Sequence, residues 1–207
     1  MIMQKPKLPR QSWGWRFHYG LRELERAYKA SRYKTDNELA EIHERAVRHQ
    51  KLVDAGKASW IEEDEEGYPV FDYGEHLGEQ AYEEEQVLRL VRGAFLISLH
   101  HYLETTIGPH LKDKKYDHAK AMAWLREVDW TPDDEALDTL RLVANCAKHG
   151  EGKSAQDLYA KRPDLFDERI DGWGAAPSHD TLSLSDEHVL SFFKAAREAV
   201  PKMPISL

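Results

Sequence analysis

EQAYEEEQVLRLVRGAFLISLHHYLETTI, residues 79–107, decides the fold. Leu88, Val91, Phe95, Leu99 and Tyr102 recur at helical spacing, and Val87, Leu90, Ala94 and Ile97 widen the apolar stripe beside them. A stripe that broad belongs to a helix that is mostly buried. The first turns are acidic (Glu79, Glu83, Glu84, Glu85), which suits the positive end of the helix dipole, and Gly108-Pro109 ends the run. The expected architecture is an all-α helical bundle around this long central helix.

The flanking segments repeat the pattern. Trp13, Trp15, Phe17 and Tyr19 alternate with other residues before the pattern turns helical to about Tyr33, Thr35-Asp36-Asn37-Glu38 reads as a capping box, and the stretch stopped near Gly56 is expected to form one or two amphipathic helices. Shorter helices are expected over 116–128, over 132–149 from the start signal Thr131-Pro132-Asp133-Asp134, over 154–160 with Ser154 as cap, and from Ser185 to about Val200. Gly74 and Gly78 are read as breaks. Tyr68–Tyr73 is the best strand candidate, and pairing with Thr181–Leu184 would make one minor two-stranded β element. An N-terminal tail, 1–15, precedes one helical domain, 16–207.

Composition narrows the function classes. A chain of 207 residues with 41% hydrophobic content can bury a core without staples. The one cysteine, Cys146, rules out an intramolecular disulfide and fits a reducing, cytoplasmic setting. No run approaches the roughly 20 apolar residues that span a bilayer, and Met1–Arg10 has no apolar signal-type core, so no membrane association or secretion is expected. A net charge of −8 disfavours a general nucleic-acid binder but leaves room for a local basic site. The run Glu62–Glu66 reads as a solvated acidic loop.

The candidate chemistry sits on helix 132–149. At about 100° per residue, Arg141, Asn145, Lys148 and His149 share a quarter-turn of surface. Histidine titrates near neutrality, arginine and lysine hold phosphate, and asparagine orients an imidazole or a substrate oxygen. That set suits binding or cleavage of a phosphodiester. The plainer alternative is an Asp138–Arg141 ion pair one turn apart, with basic residues complementing the helix C-terminus.

The pattern Asn145-x-x-Lys148-His149-Gly150, followed by a short helix and Arg162-Pro163-Asp164-Leu165-Phe166, looks like one found in uncharacterised bacterial helical proteins and, more loosely, resembles the HEPN superfamily of helical-bundle proteins. Many of that superfamily are metal-independent endoribonucleases of bacterial toxin–antitoxin and phage-defence systems. Their signature is an arginine, often with a polar residue directly after it, then a histidine. The resemblance implies His149, Asn145 and Arg141 as catalytic residues, Lys148 as a phosphate contact, no cofactor and no metal. It also implies RNA, a cognate antitoxin or defence-system protein and a second copy of the chain as partners. Here residues 142–148 make the arginine–histidine gap longer than the signature's, and Ala144 precedes Asn145 where the signature arginine would stand. A binding or regulatory module without catalysis is therefore the competing class.

Two further features stay open. Ala147 to Ser154, with Lys153, satisfies a permissive phosphate-loop pattern and raises nucleotide binding as a remote alternative, although a true loop of this kind follows a buried strand. His100 and Glu104, one turn apart, with His101 beside them, are a candidate binding group or a hydrogen-bonded structural one. Trp13, Trp15 and Tyr19 read first as a hydrophobic anchor, with base stacking as the alternative.

Overall fold

The structure, a computed structural model, describes residues 11–128 and 130–200. Among them are seven α-helices and one two-stranded antiparallel sheet, so the fold is all-α with a minor β element. The helices are α1 (Gln11–Asp54), α2 (Tyr73–Ile107), α3 (His118–Glu127), α4 (Asp134–His149), α5 (Lys153–Lys161), α6 (Arg169–Trp173) and α7 (Asp186–Glu198). The strands are β1 (Ile61–Glu63) and β2 (Pro69–Asp72). No helix among the described residues is long and apolar enough to cross a membrane.

The chain divides into two compact units, residues 1–28 with 92–207, and residues 29–91. The larger unit carries the deep core. Phe17, Leu21, Leu96, Leu99, Leu125, Leu137, Leu140, Val143, Leu158 and Phe193 are sealed from solvent. Tyr28 is equally buried, its ring against Phe95 and Phe193 and its hydroxyl donating to Asp186, which also pairs with Arg92 at 3.1 Å. A Cβ on Gly20 would lie 2.5 Å from the Tyr102 hydroxyl, which donates to the Phe17 carbonyl at 2.9 Å, so only glycine admits this contact. Trp13 packs among Phe17, His110, Trp124 and Trp130 and anchors this end of α1, whereas Trp15 and Tyr19, which the sequence grouped with it as an anchor, are exposed.

The smaller unit buries little, chiefly Thr35, Ile42, Leu77 and Leu88. His49 meets the rings of Trp60 and Tyr73 at 4.5 Å each, and Trp60 donates to Gln50. Many large apolar side chains stay exposed in this unit, among them Tyr68, Val70, Tyr82 and Leu90.

Several sequence expectations are corrected. The Thr35 capping box starts no new helix: α1 runs through it, with Thr35 buried and Arg32 bridging to Asp36 at 2.8 Å. No glycine or proline lies there to stop it, and a capping-box pattern is also compatible with a helix interior. Gly74 and Gly78 do not break α2. Its first turn is capped from the preceding strand by Asp72, whose carboxylate accepts from the Gly74 and Glu75 N–H groups at 2.8 and 2.9 Å.

Residues 70–73 do not pair with 181–184. β2 pairs with β1 across a turn in which Asp64 accepts from the N–H groups of Glu66 and Tyr68, with Gly67 at φ +86°, while Leu182 makes a lone bridge to Phe166. The acidic run is accordingly not all loop, since Glu62 and Glu63 lie in β1. Ser185 caps α7 as expected, reciprocated by His188. The Met1–Arg10 part of the expected tail lies outside the described residues, and α1 begins at Gln11, so Trp13 and Trp15 are helical.

Candidate functional site

The candidate residues of α4 stand on a rigid pedestal. Asp133, rather than Thr131, caps the helix by accepting from Ala136, and Asp134 and Glu135 occupy the first turn. Leu137, Leu140, Leu142, Val143, Ala144 and Cys146 are buried, so the opposite face is presented outward. Cys146 has no exposed surface, and burial pushes its thiol up to about 11. The helix stops at Gly150, whose φ of +75° suits glycine alone, and a Cβ there would also lie 3.0 Å from the His179 ring.

Along that outward face the stripe separates into two groups. Asn145 is half-buried and Lys148 and His149 are exposed, and among the described residues no side-chain hydrogen bond or ion pair engages any of the three. Arg141 turns the other way. Its Nε and one terminal nitrogen donate to Asp138 at 3.0 and 2.7 Å, the local pair the sequence offered as the plainer alternative. Asp138 also accepts from Lys161 of α5. Burial alone would raise the Asp138 carboxyl, but the hydrogen bonds from Lys161 and Arg141 outweigh it and hold the group below its ordinary value.

Around Arg141 the fold assembles residues that sequence spacing did not connect. His118, at the start of α3, has its Nε2 4.0 Å from Asp138 and its Nδ1 3.3 Å from the Tyr116 hydroxyl. His100 of α2 is almost fully buried, its ring edge-on to Tyr116 and its Nδ1 3.7 Å from Glu104, with no hydrogen-bond partner at Nε2. The other Glu104 oxygen lies 3.4 Å from the exposed His101. His118, Met122, Arg126, Asp134, Asp138 and Lys161 border an open cleft of about 630 Å³. Its carboxylates are largely matched by cations, since Arg126 is paired with Asp134 as Lys161 is with Asp138. Among the described residues no three histidine, cysteine or carboxylate side chains gather as a metal-holding group.

Both cluster histidines resist protonation. Burial lowers His100 most, with Glu104 opposing and the nearby His118, Arg141 and His101 reinforcing. Burial likewise lowers His118, against the pull of Asp138. Burial, reinforced by Glu104, pushes Tyr116 up to about 12, so its hydroxyl keeps its proton. Between the lowered folded values and the ordinary value near 6.5, the unfolded chain binds more protons than the folded one, so stability rises with pH across that interval. Unfolding in urea is expected to show a midpoint that falls as pH drops from 7.5 to 5.5, with the fall shallower in a His100→Gln, His118→Gln chain. Equal falls in the two chains would show that these histidines do not set it.

Residues 147–154 run from the last turn of α4 into the start of α5, and Gly152 rather than Ser154 is the N-terminal residue flanking α5. What precedes Gly150-Glu151-Gly152-Lys153 is thus a helix and not the strand a phosphate loop follows. Lys153 reaches Asp157 at 3.0 Å. Asn145 and His149 could be singled out from sequence spacing alone. His118, Tyr116 and Lys161 carry no such signal, because only the packing of α2, α3 and α5 against α4 brings them together. Comparison of the chain with family models, with curated proteins and with solved structures finds no match in any of the three.

Proposed function

We propose that this protein is a HEPN-like component of a bacterial toxin or defence system that engages RNA at the C-terminal end of α4. The observation that carries the reading is the unengaged trio at that end. Asn145, Lys148 and His149 share one outward face of a helix whose other face is sealed in the core. Such a surface has donors to give and rests on a rigid support, which is what positioning a phosphodiester requires.

On this reading His149 takes the proton of a ribose 2′-hydroxyl. The 2′-oxygen attacks phosphorus, and the 5′-oxygen leaves with a returned proton, giving a 2′,3′-cyclic phosphate. Asn145 orients the imidazole or a phosphate oxygen, and Lys148 offsets phosphate charge. Arg141 joins only by exchanging Asp138 for substrate. The apolar side chains exposed in residues 29–91 support a second copy of the chain, or a cognate antitoxin, as partner in the cytoplasm. A binding module without catalysis is the second reading, and the Arg141–Asp138 pairing favours it, because the arginine the signature needs is already occupied.

Expression in a bacterial host separates the two. The wild type is expected to arrest growth and fragment RNA, with both effects lost in His149→Ala and in Asn145→Ala chains that retain the wild-type helical circular-dichroism spectrum. Intact RNA and normal growth with the wild type would leave only the binding module.

A further inference from the structure

Apart from α4, the first turns of α1 carry an unusual exposed surface. Trp15 and Tyr19 are 59% and 47% exposed, yet their rings stack on each other at 5.5 Å and 21°. The Arg22 guanidinium lies 5.4 Å from the centre of the Tyr19 ring. Positions 15, 19, 22 and 26 follow helical spacing, so Trp15, Tyr19, Arg22 and Arg26 form one stripe, two aromatic rings followed by two cations. Glu23 beside them contacts Arg26 at 3.0 Å and Arg22 at 3.9 Å, which offsets one of the two charges and leaves the stripe net positive.

The core does not account for this arrangement. Trp13 is the residue that anchors this end of α1, whereas Trp15 and Tyr19 face outward. Two apolar rings held side by side in water, continued by guanidinium groups, match a polymer that alternates flat π-faces with phosphates. Bases stack on exposed aromatic rings with little regard to sequence, while nearby arginines take the backbone charge.

We propose that Trp15, Tyr19, Arg22 and Arg26 form a binding platform for single-stranded RNA, with bases on the two rings and phosphates on the two arginines. The choice of polymer rests on the RNA reading above, but the surface is distinct from α4 and the two fail separately. The platform delivers a strand without performing chemistry, and it gives a chain of net charge −8 a local route to RNA.

The test is fluorescence anisotropy of a labelled, unstructured oligouridine with the full-length His149→Ala chain, in which the assigned cleavage residue is absent and the probe stays whole. Against that parent, adding Trp15→Ala with Tyr19→Ala is expected to weaken binding about tenfold or more, and Trp15→Phe with Tyr19→Phe to restore most of it. Adding Arg22→Gln with Arg26→Gln is expected to weaken binding and flatten its salt dependence. These side chains are exposed, so the variants should keep the parent's unfolding midpoint. No binding by the parent, or equal binding by parent and alanine variant, overturns the platform. Binding lost with the rings, in a wild type that cleaves nothing, upholds the platform and removes the nuclease.

Discussion

Phe193→Ala is expected to lower stability by about 3–5 kcal/mol, among the largest effects of any single side-chain truncation in the chain. Phe193 has no exposed surface, lies on α7 and stacks on Tyr28 at 6.3 Å. Truncation removes a ring's worth of buried surface and leaves a cavity that the surrounding helices can only partly fill. Against a total of about 5–15 kcal/mol for an ordinary protein, that loss is severe. Urea unfolding should show a much lower midpoint with an unchanged slope. Leu90→Ala is the comparison. Leu90 is 71% exposed, and its loss should cost no more than about 0.5 kcal/mol. Similar costs for the two substitutions would show that α7 is not seated as described.

Arg92→Met should cost about 2–3 kcal/mol, through charge rather than volume. Asp186, in the first turn of α7, receives the Tyr28 hydroxyl and the Arg92 guanidinium. Burial, and then Asp186 itself, pushes the Tyr28 hydroxyl well above its ordinary value, so it remains a donor. Arg92 and Asp186 each keep 19% of their side-chain surface in contact with solvent. Removing the cation takes a charge-assisted partner from a carboxylate that water reaches only in part, and the remaining solvent contact scales the penalty down from that of a fully buried pair. Tyr28→Phe should cost less, about 1–2 kcal/mol, because Asp186 then keeps its cation. Thermal unfolding of the two variants would check the order. A milder effect for Arg92→Met than for Tyr28→Phe would mean that the hydroxyl, not the arginine, carries the network.

The helices were legible wherever apolar spacing continued over several turns, as in α2, α4 and α7. The misreadings share one cause, since they concern points where a local signal admits two outcomes. Thr35 to Glu38 satisfies a capping box and also fits a helix interior, and burial of Thr35 goes with the second. Gly74 looks like a break until Asp72 caps the turn that contains it. The hairpin was obscured because charged Glu62 and Glu63 form part of a strand that almost nothing covers. In the candidate site, the Asp138–Arg141 pair was readable because it lies within one helical turn. His118 and Lys161 approach Asp138 from other helices, and one-dimensional spacing has no term for that approach.

The sealed thiol of Cys146 turns the protein into its own opening clock. It sits in α4, a few residues before His149, and it is the chain's single cysteine. A thiol reagent reacts with the thiolate, and burial both covers the Cys146 sulfur and raises its thiol to about 11, so reaction waits until the group is uncovered. Each modification event therefore records one excursion in which the support of Asn145, Lys148 and His149 has come away from its neighbours. The rate of that single reaction, followed with and without added RNA, reads how readily the proposed site loses its footing, and it does so without any label foreign to the sequence.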